Sequence, residues 1–280
     1  MNRPISNYDY SRAGVLVITL KCCKGIRLCR ITQTDYELLP IGRYVREGFL
    51  GIPGYYPQIK IGQYQIMPDH VHVMVHVVKD LPKGVTVRRV FRGFKIGVNK
   101  ACEEKLTGFH GPVFENGLYD RLVFDEKTLA QEVAYIRDNV RRYRMKSANK
   151  ELFLVSRVIF KKSLSKFGKL WGLGNLTLID SPHLVYLQYS RSLTEEQWPE
   201  IESGLKSEMK KGAVFVSPFI SPFERRALQT VIRLGGNAIR ITADFFDGRY
   251  KPRGGLIDAF NEGRVLEISV AEAFGRVVPR

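Results

Sequence analysis

The sequence predicts an α+β domain over residues 1–153 followed by a smaller α/β domain over residues 170–280. Three observations carry this: a β-hairpin signal within 58–78, two amphipathic helical patterns on its C-terminal side, and a regular strand–helix alternation in the last hundred residues. Residues 13–22 (AGVLVITLKC) read as the first strand. Residues 58–66 and 70–78 are rich in β-formers and are joined by Met67-Pro68-Asp69, a link whose Pro and Asp suit a tight turn. Residues 85–105 read as a helix, because Val87, Val90, Phe91, Phe94 and Val98 recur at spacings of three or four. A second helix is predicted over 128–145. Strands and helices mixed around an antiparallel hairpin point to an α+β layer rather than a doubly wound sheet.

The pattern changes beyond residue 153. A basic, glycine-containing stretch (KKSLSKFGKLWGLGN) leads into strands at 185–188, 214–217, 238–242 and 264–269, with helices at 194–210, 222–234 and 256–261 between them. Such alternation predicts a parallel sheet with crossover helices. In AVFVSPFISPFE (213–224), Ser221 three residues before Glu224, with Pro222 at the first helical position, fits a capping box. Ser217 and Ser221 fall beyond the carboxyl end of a strand, where a phosphate could dock; a capped helix with no ligand is the plainer reading. The loop GRYKPRGG (248–255) suits either a phosphate contact or a chain turn, and no glycine-rich dinucleotide fingerprint is present.

Composition narrows the function classes. The 280 residues carry 44 Lys and Arg against 28 Asp and Glu, a net charge of +16. Residues 1–150 hold 25 basic and 14 acidic side chains (+11), and the remainder 19 and 14 (+5). Clusters at Lys83/Arg88/Arg89/Arg92/Lys95/Lys100 and Arg141/Arg142/Arg144/Lys146/Lys150 would attract a polyanion, for which nucleic acid is the first candidate. No uncharged apolar run reaches the ~18 residues a spanning helix needs, so no membrane role is expected. The opening MNRPISNYDYSR lacks the build of a secretory signal. Cys22, Cys23, Cys29 and Cys102 form no C-x-x-C pair; they read as small apolar filler, and a reducing cytoplasm is the expected compartment.

Chemistry-bearing residues cluster in the first domain. Along strand 70–78, His70, His72, Met74 and His76 share one face and four valines share the other, the core face. Two imidazoles two residues apart can grip one divalent ion, but half-exposed strand histidines give the same pattern. On helix 128–145, Leu129, Val133, Ile136 and Val140 fall in a stripe about 60° wide that faces the core. Tyr135, Asn139 and Arg142 form a second stripe more than about 100° away, which suits either a phosphate-handling face or an ordinary polar surface. Tyr119 reads as a structural aromatic packed near the helix start.

Over residues 8–153 the blocks YDYSRAGVLVITL, IMPDHVHVMV, RRVFRGFKIGVNK, PVFENGLYDRLVFDEKTL and AYIRDNVRRYRMK resemble, in order and spacing, the HUH single-tyrosine transposases, particularly the REP-associated tyrosine transposases. The resemblance implies a ferredoxin-like nuclease domain, commonly a homodimer, acting on single-stranded DNA near short hairpins. It implies that His70 and His72 bind a catalytic Mg²⁺ or Mn²⁺, that Asn139 completes the metal site, and that Tyr135 is the nucleophile of a 5′-phosphotyrosine intermediate. Arg88, Arg89, Arg92, Lys95, Arg141, Arg142 and Arg144 are the expected DNA contacts. Two positions depart from the family pattern: Val140 stands where Pro is common, and Val113-Phe114-Glu115 where Trp-Gln often precedes the tyrosine-aspartate block. The second domain resembles a Rossmann-like extension related in appearance to the nucleotide-binding domains of DNA-processing proteins. The alternative to a transposase is a domesticated DNA-binding regulator that keeps the fold without cleaving. A water-using phosphodiesterase would need a general base beside the histidines, and Asp69 alternates to the other face of the strand.

Overall fold

The computed structural model describes residues 8–152, 154–158, 170–190, 192–246, 250, 252 and 255–271. The chain divides into two compact units, 1–144 and 145–280.

The first unit contains β1 (Gly14–Lys21), β2 (Cys29–Ile31), β3 (Tyr36–Leu38), α1 (Pro40–Leu50), α2 (Ile52–Tyr55), β4 (Ile59–Ile66), β5 (His70–Val77), α3 (Val87–Lys105), β6 (Tyr119–Val123) and α4 (Glu126–Ala148), whose last turn enters the second unit. Four strands form an antiparallel sheet in the order β4-β5-β1-β6. The predicted hairpin is present: Met67 N–H donates to His70 O at 2.8 Å and closes the link between β4 and β5. Alternation sends Leu16, Ile18 and Leu20 of β1, and Val71, Val73, Val75 and Val77 of β5, to one face. There they pack with Val45 and Phe49 of α1 and with the Val87, Val90, Phe91, Phe94 and Val98 stripe of α3. Thr86 caps α3, its side chain accepting from Arg89 N–H.

The opposite face of the sheet is covered by α4. Val17, Met74 and Ile136 form a small buried cluster there, with Leu129, Val133 and Tyr135 packed around it. This corrects two expectations. Met74, on the histidine face, is fully buried, and Tyr135 belongs to a packed surface. The buried positions of α4 are Glu132, Ile136 and Asn139, which rotates the buried stripe by about 60° toward Asn139 relative to the apolar pattern. The reason is the ion pair between Arg121 of β6 and Glu132, which draws a carboxylate into the helix–sheet interface.

The second unit contains β7 (Val155–Val158), β8 (Leu170–Gly174), β9 (Leu184–Tyr186), α5 (Trp198–Lys210), β10 (Val214–Ser217), α6 (Pro222–Arg233), β11 (Asn237–Thr242), α7 (Leu256–Asn261) and β12 (Val265–Ser269). Its six-stranded sheet has the order β7-β8-β12-β11-β10-β9. Strands β9 to β12 are parallel, as the alternation predicts, while β7 and β8 add antiparallel strands beside β12. The parallel strands follow one another across the sheet in chain order, so this part lacks the order reversal that defines the switch point of a doubly wound sheet. Phe215 and Ala238 pack against α5 and α6; Val214, Val216, Ile239, Leu266 and Ile268 pack on the other face around Leu178 of a 3-10 turn, Leu176–Asp180. The basic loop at 248–255 and the stretch at 161–169 lie largely outside the described residues.

Candidate active site

Strand register builds the site. His70 pairs with Lys21, and His72 with Thr19 on one side and Gln65 on the other; Thr19 in turn pairs with Tyr119. Directly paired residues share a face, so these side chains stand on the α4 side of the sheet. The rings of His70 and His72 lie 4.7 Å apart, centroid to centroid, edge to face. His70 Nδ1 is 2.7 Å from Asp69 Oδ1, and His72 Nδ1 is 2.8 Å from Thr19 Oγ1. Hydrogen bonding at Nδ1 orients each ring, as it does in metal-binding imidazoles, so Nε2 is the nitrogen that could serve as a ligand. The same contact with His70 holds the Asp69 carboxyl below the usual carboxylate range.

From above, α4 brings Tyr135. Its ring meets that of His72 at 5.7 Å between centroids, and the Arg142 guanidinium lies over the Tyr135 ring, 5.4 Å from its centroid. Among the described residues the Tyr135 hydroxyl has no hydrogen-bond partner. Asn139, one turn further along, is buried; its Nδ2 donates to Tyr135 O at 2.8 Å, which leaves Oδ1 as its remaining polar atom. Among the described residues no three His, Cys, Asp or Glu side chains cluster as a metal cage. A divalent ion here would therefore take two imidazoles plus oxygen from an amide, water or substrate.

His76 sits on the same face beyond Met74, and its Nε2 lies against the backbone of Gly62. A Cβ at Gly62 would stand 2.7 Å from that nitrogen, so a larger residue at this bulge in β4 would displace the His76 ring. Burial holds the His76 imidazole below its ordinary value. Tyr119 is not a packed aromatic: it lies on β6, 47% exposed, across from Thr19.

The expected DNA contacts separate into two groups. Arg88 is committed to the interior of the first unit: its guanidinium pairs with Asp120, which also accepts from the Tyr10 hydroxyl, and stacks 4.8 Å from the Tyr10 ring centroid. Lys95 donates to Glu115 O at 2.7 Å and to Gly117 O, and burial pulls its ammonium pKa down. Arg144 ties down the β2–β3 turn through Thr32 O at 2.7 Å and Asp35 O at 3.1 Å. Arg141 pairs with Asp138. Arg89 and Arg92 are exposed on α3, and Arg142 stands beside Tyr135. The residues that the sequence reading missed are Thr19 and Asp69, which orient the imidazoles. Strand alternation set Asp69 on the other face, which the structure corrects: it lies in the β4–β5 link, just before β5 begins, and its carboxylate reaches His70 Nδ1. Thr19 lies 53 residues from His72 and only strand register reveals it.

In the second unit the capping box of α6 is formed: Ser221 Oγ accepts from Glu224 N–H, and the Glu224 carboxylate accepts from Ser221 N–H.

No family model matches the chain. An uncharacterised protein of Haemophilus influenzae is 28% identical over 155 residues, which span 48% of this chain and 84% of that protein. Among solved structures, a REP-associated tyrosine transposase bound to a REP hairpin aligns over 51% of this chain and 74% of its own, with 16% identity and a TM-score of 0.39. DNA processing protein A of Helicobacter pylori, described for its single-stranded DNA binding mode, aligns over 43% of this chain and 57% of its own, with 18% identity and a TM-score of 0.34. Among the described residues no helix is long and apolar enough to cross a membrane.

Proposed function

We propose that the first unit cuts and rejoins single-stranded DNA near hairpins, with Tyr135 as the nucleophile. The observation that carries this reading is the contact between the His72 and Tyr135 rings, which joins a strand-borne imidazole pair to a helix-borne phenol. The donor set fits a divalent ion, since both imidazoles are oriented through Nδ1. His70 and His72 would hold Mg²⁺ or Mn²⁺ with the Asn139 amide oxygen. The bound ion supplies charge neutralisation at a non-bridging phosphate oxygen, and Mn²⁺ suits imidazole ligands at least as well as Mg²⁺.

The chain's own residues do the rest. The Tyr135 phenol loses its proton and its oxygen bonds to phosphorus; the bond from phosphorus to the 3′-oxygen breaks, and that oxygen leaves as a hydroxyl on taking up a proton. The DNA 5′ end is then held on Tyr135, and because the ester is conserved a 3′-hydroxyl can reverse the step without ATP. The Arg142 guanidinium, beside the Tyr135 ring, is placed to meet the incoming phosphate. Arg92 is exposed on α3, as is Arg89, whose guanidinium also donates to Gly84 O at 3.1 Å, and both can meet the strand's phosphates.

The test is incubation with a labelled, hairpin-bearing single strand and Mn²⁺, followed by denaturation. A metal-dependent covalent adduct that disappears in Tyr135→Phe is the expected result. Tight binding without an adduct would mean a non-cleaving regulator. Cleaved ends without an adduct would mean attack by water.

A further inference from the structure

The second unit holds a cleft of about 690 Å³ at the carboxyl ends of β9, β10 and β11. Its size is that of a small-molecule site. The polar groups of its floor are already engaged by the protein. Ile220 and Ser221 N–H donate to Glu224 Oε2 at 2.8 and 3.1 Å, Glu224 N–H donates to Ser221 Oγ at 3.2 Å, and Phe219 N–H donates to Ser217 Oγ at 3.1 Å. A phosphate entering this end of α6 meets a buried carboxyl side chain in place of open amides. The rim has the opposite character. Tyr186 is 75% exposed and Ile220 66% exposed, so flat apolar surface faces the opening. Gln188 lines the same opening. Arg225 donates through Nε to Ile220 O at 2.8 Å, which fixes its guanidinium at the rim, and it makes no ion pair among the described residues.

We propose that this cleft seats a nucleobase, stacked on Tyr186, with the attached sugar and phosphate left outside near Arg225. Closed amides disfavour an anion within, whereas an exposed aromatic ring beside the Gln188 amide matches a planar ring with a polar edge. The strongly basic chain concentrates nucleic acid at its surface. This assignment does not depend on the chemistry proposed for Tyr135.

The experiment uses the full chain with Tyr135→Phe, so that no covalent step intervenes, and measures binding of short oligothymidylate and of an abasic deoxyribose-phosphate oligomer of equal length. Tyr186→Ala should weaken oligothymidylate binding by about fivefold to a hundredfold, leave the abasic oligomer unchanged, and be rescued by Tyr186→Trp. Thymidine at high concentration should compete with oligothymidylate; competition only by longer strands places the base within single-stranded nucleic acid, still at Tyr186. Equal loss for both oligomers, no loss for either, or no rescue by Trp overturns the proposal. Thymidine monophosphate should compete better than thymidine, and Arg225→Ala should remove that difference; inorganic phosphate competing as well as thymidine monophosphate would overturn the proposal, by revealing a phosphate site within the cleft. Tyr186 is exposed, so its replacement does not open the core, and circular dichroism of the variant checks this directly.

Discussion

Arg88→Ala should cost stability rather than DNA affinity. The Asp120 side chain is 3% exposed, and Arg88, at 26%, is its partner together with the Tyr10 hydroxyl. Removing the guanidinium strands a buried carboxylate and removes the stacking on Tyr10. Breaking a buried pair from one side costs about 3–5 kcal/mol, and because a quarter of Arg88 reaches water the lower end, about 3 kcal/mol, applies. For a unit of roughly 140 residues this lowers the melting temperature by about 9 °C. The assay is thermal and urea denaturation followed by circular dichroism, paired with oligonucleotide anisotropy at two salt concentrations. Arg88→Ala/Asp120→Ala should recover part of the loss, since no charge is then left alone. Arg92→Ala is the contrast: it should leave stability within about 0.5 kcal/mol and reduce the salt slope of binding by about one. An Arg88→Ala chain that melts like the parent but binds DNA weakly would refute the reasoning.

Three further outcomes follow from the geometry. Thr19→Val removes the hydrogen bond to His72 Nδ1 and should weaken Mn²⁺ binding about 10- to 100-fold by calorimetry, with Thr19→Ser restoring it; an unchanged affinity would show that Thr19 does not orient the ring. Burial pushes the Cys22 and Cys29 thiols up to about 12 and also raises Cys102, so iodoacetamide near neutral pH should modify Cys23 alone in the folded chain, read by mass spectrometry. Burial lowers the His76 pKa, so below about pH 6.5 the unfolded chain takes a proton that the folded one refuses, and stability declines as the pH falls through that window. His76→Gln should flatten the urea midpoint between about pH 5 and 6.5, and parallel curves for both chains would contradict this assignment.

Periodicity made much of the molecule legible. The β4–β5 hairpin, α3, α4 and the strand–helix alternation of β9 to β12 stand close to where spacing puts them, because each buries a face repeated along its own segment. The elements that escaped lack that repetition. β2 and β3 have three residues each, and α1 has only Gly42, Val45 and Phe49 buried and no side-chain cap. β6 breaks the alternation by carrying Asp120 toward the core face. Within the candidate site, the His70/His72 spacing and the Tyr135/Asn139 turn were readable, but Thr19 was not, since its partnership is set by register between strands.

The sequence by itself determined the local elements, the histidine face of β5 and the excess of positive charge. Only the tertiary structure decided which of those charges remain available. Arg88 and Asp120 are 32 residues apart, Tyr10 and Asp120 are 110 apart, and Arg144 reaches a turn 112 residues away. Hydrogen bonds and ion pairs act over a few ångströms of space, whereas helix and strand periods act along the chain, so identical-looking arginines on one helix acquire different work from what folds against them.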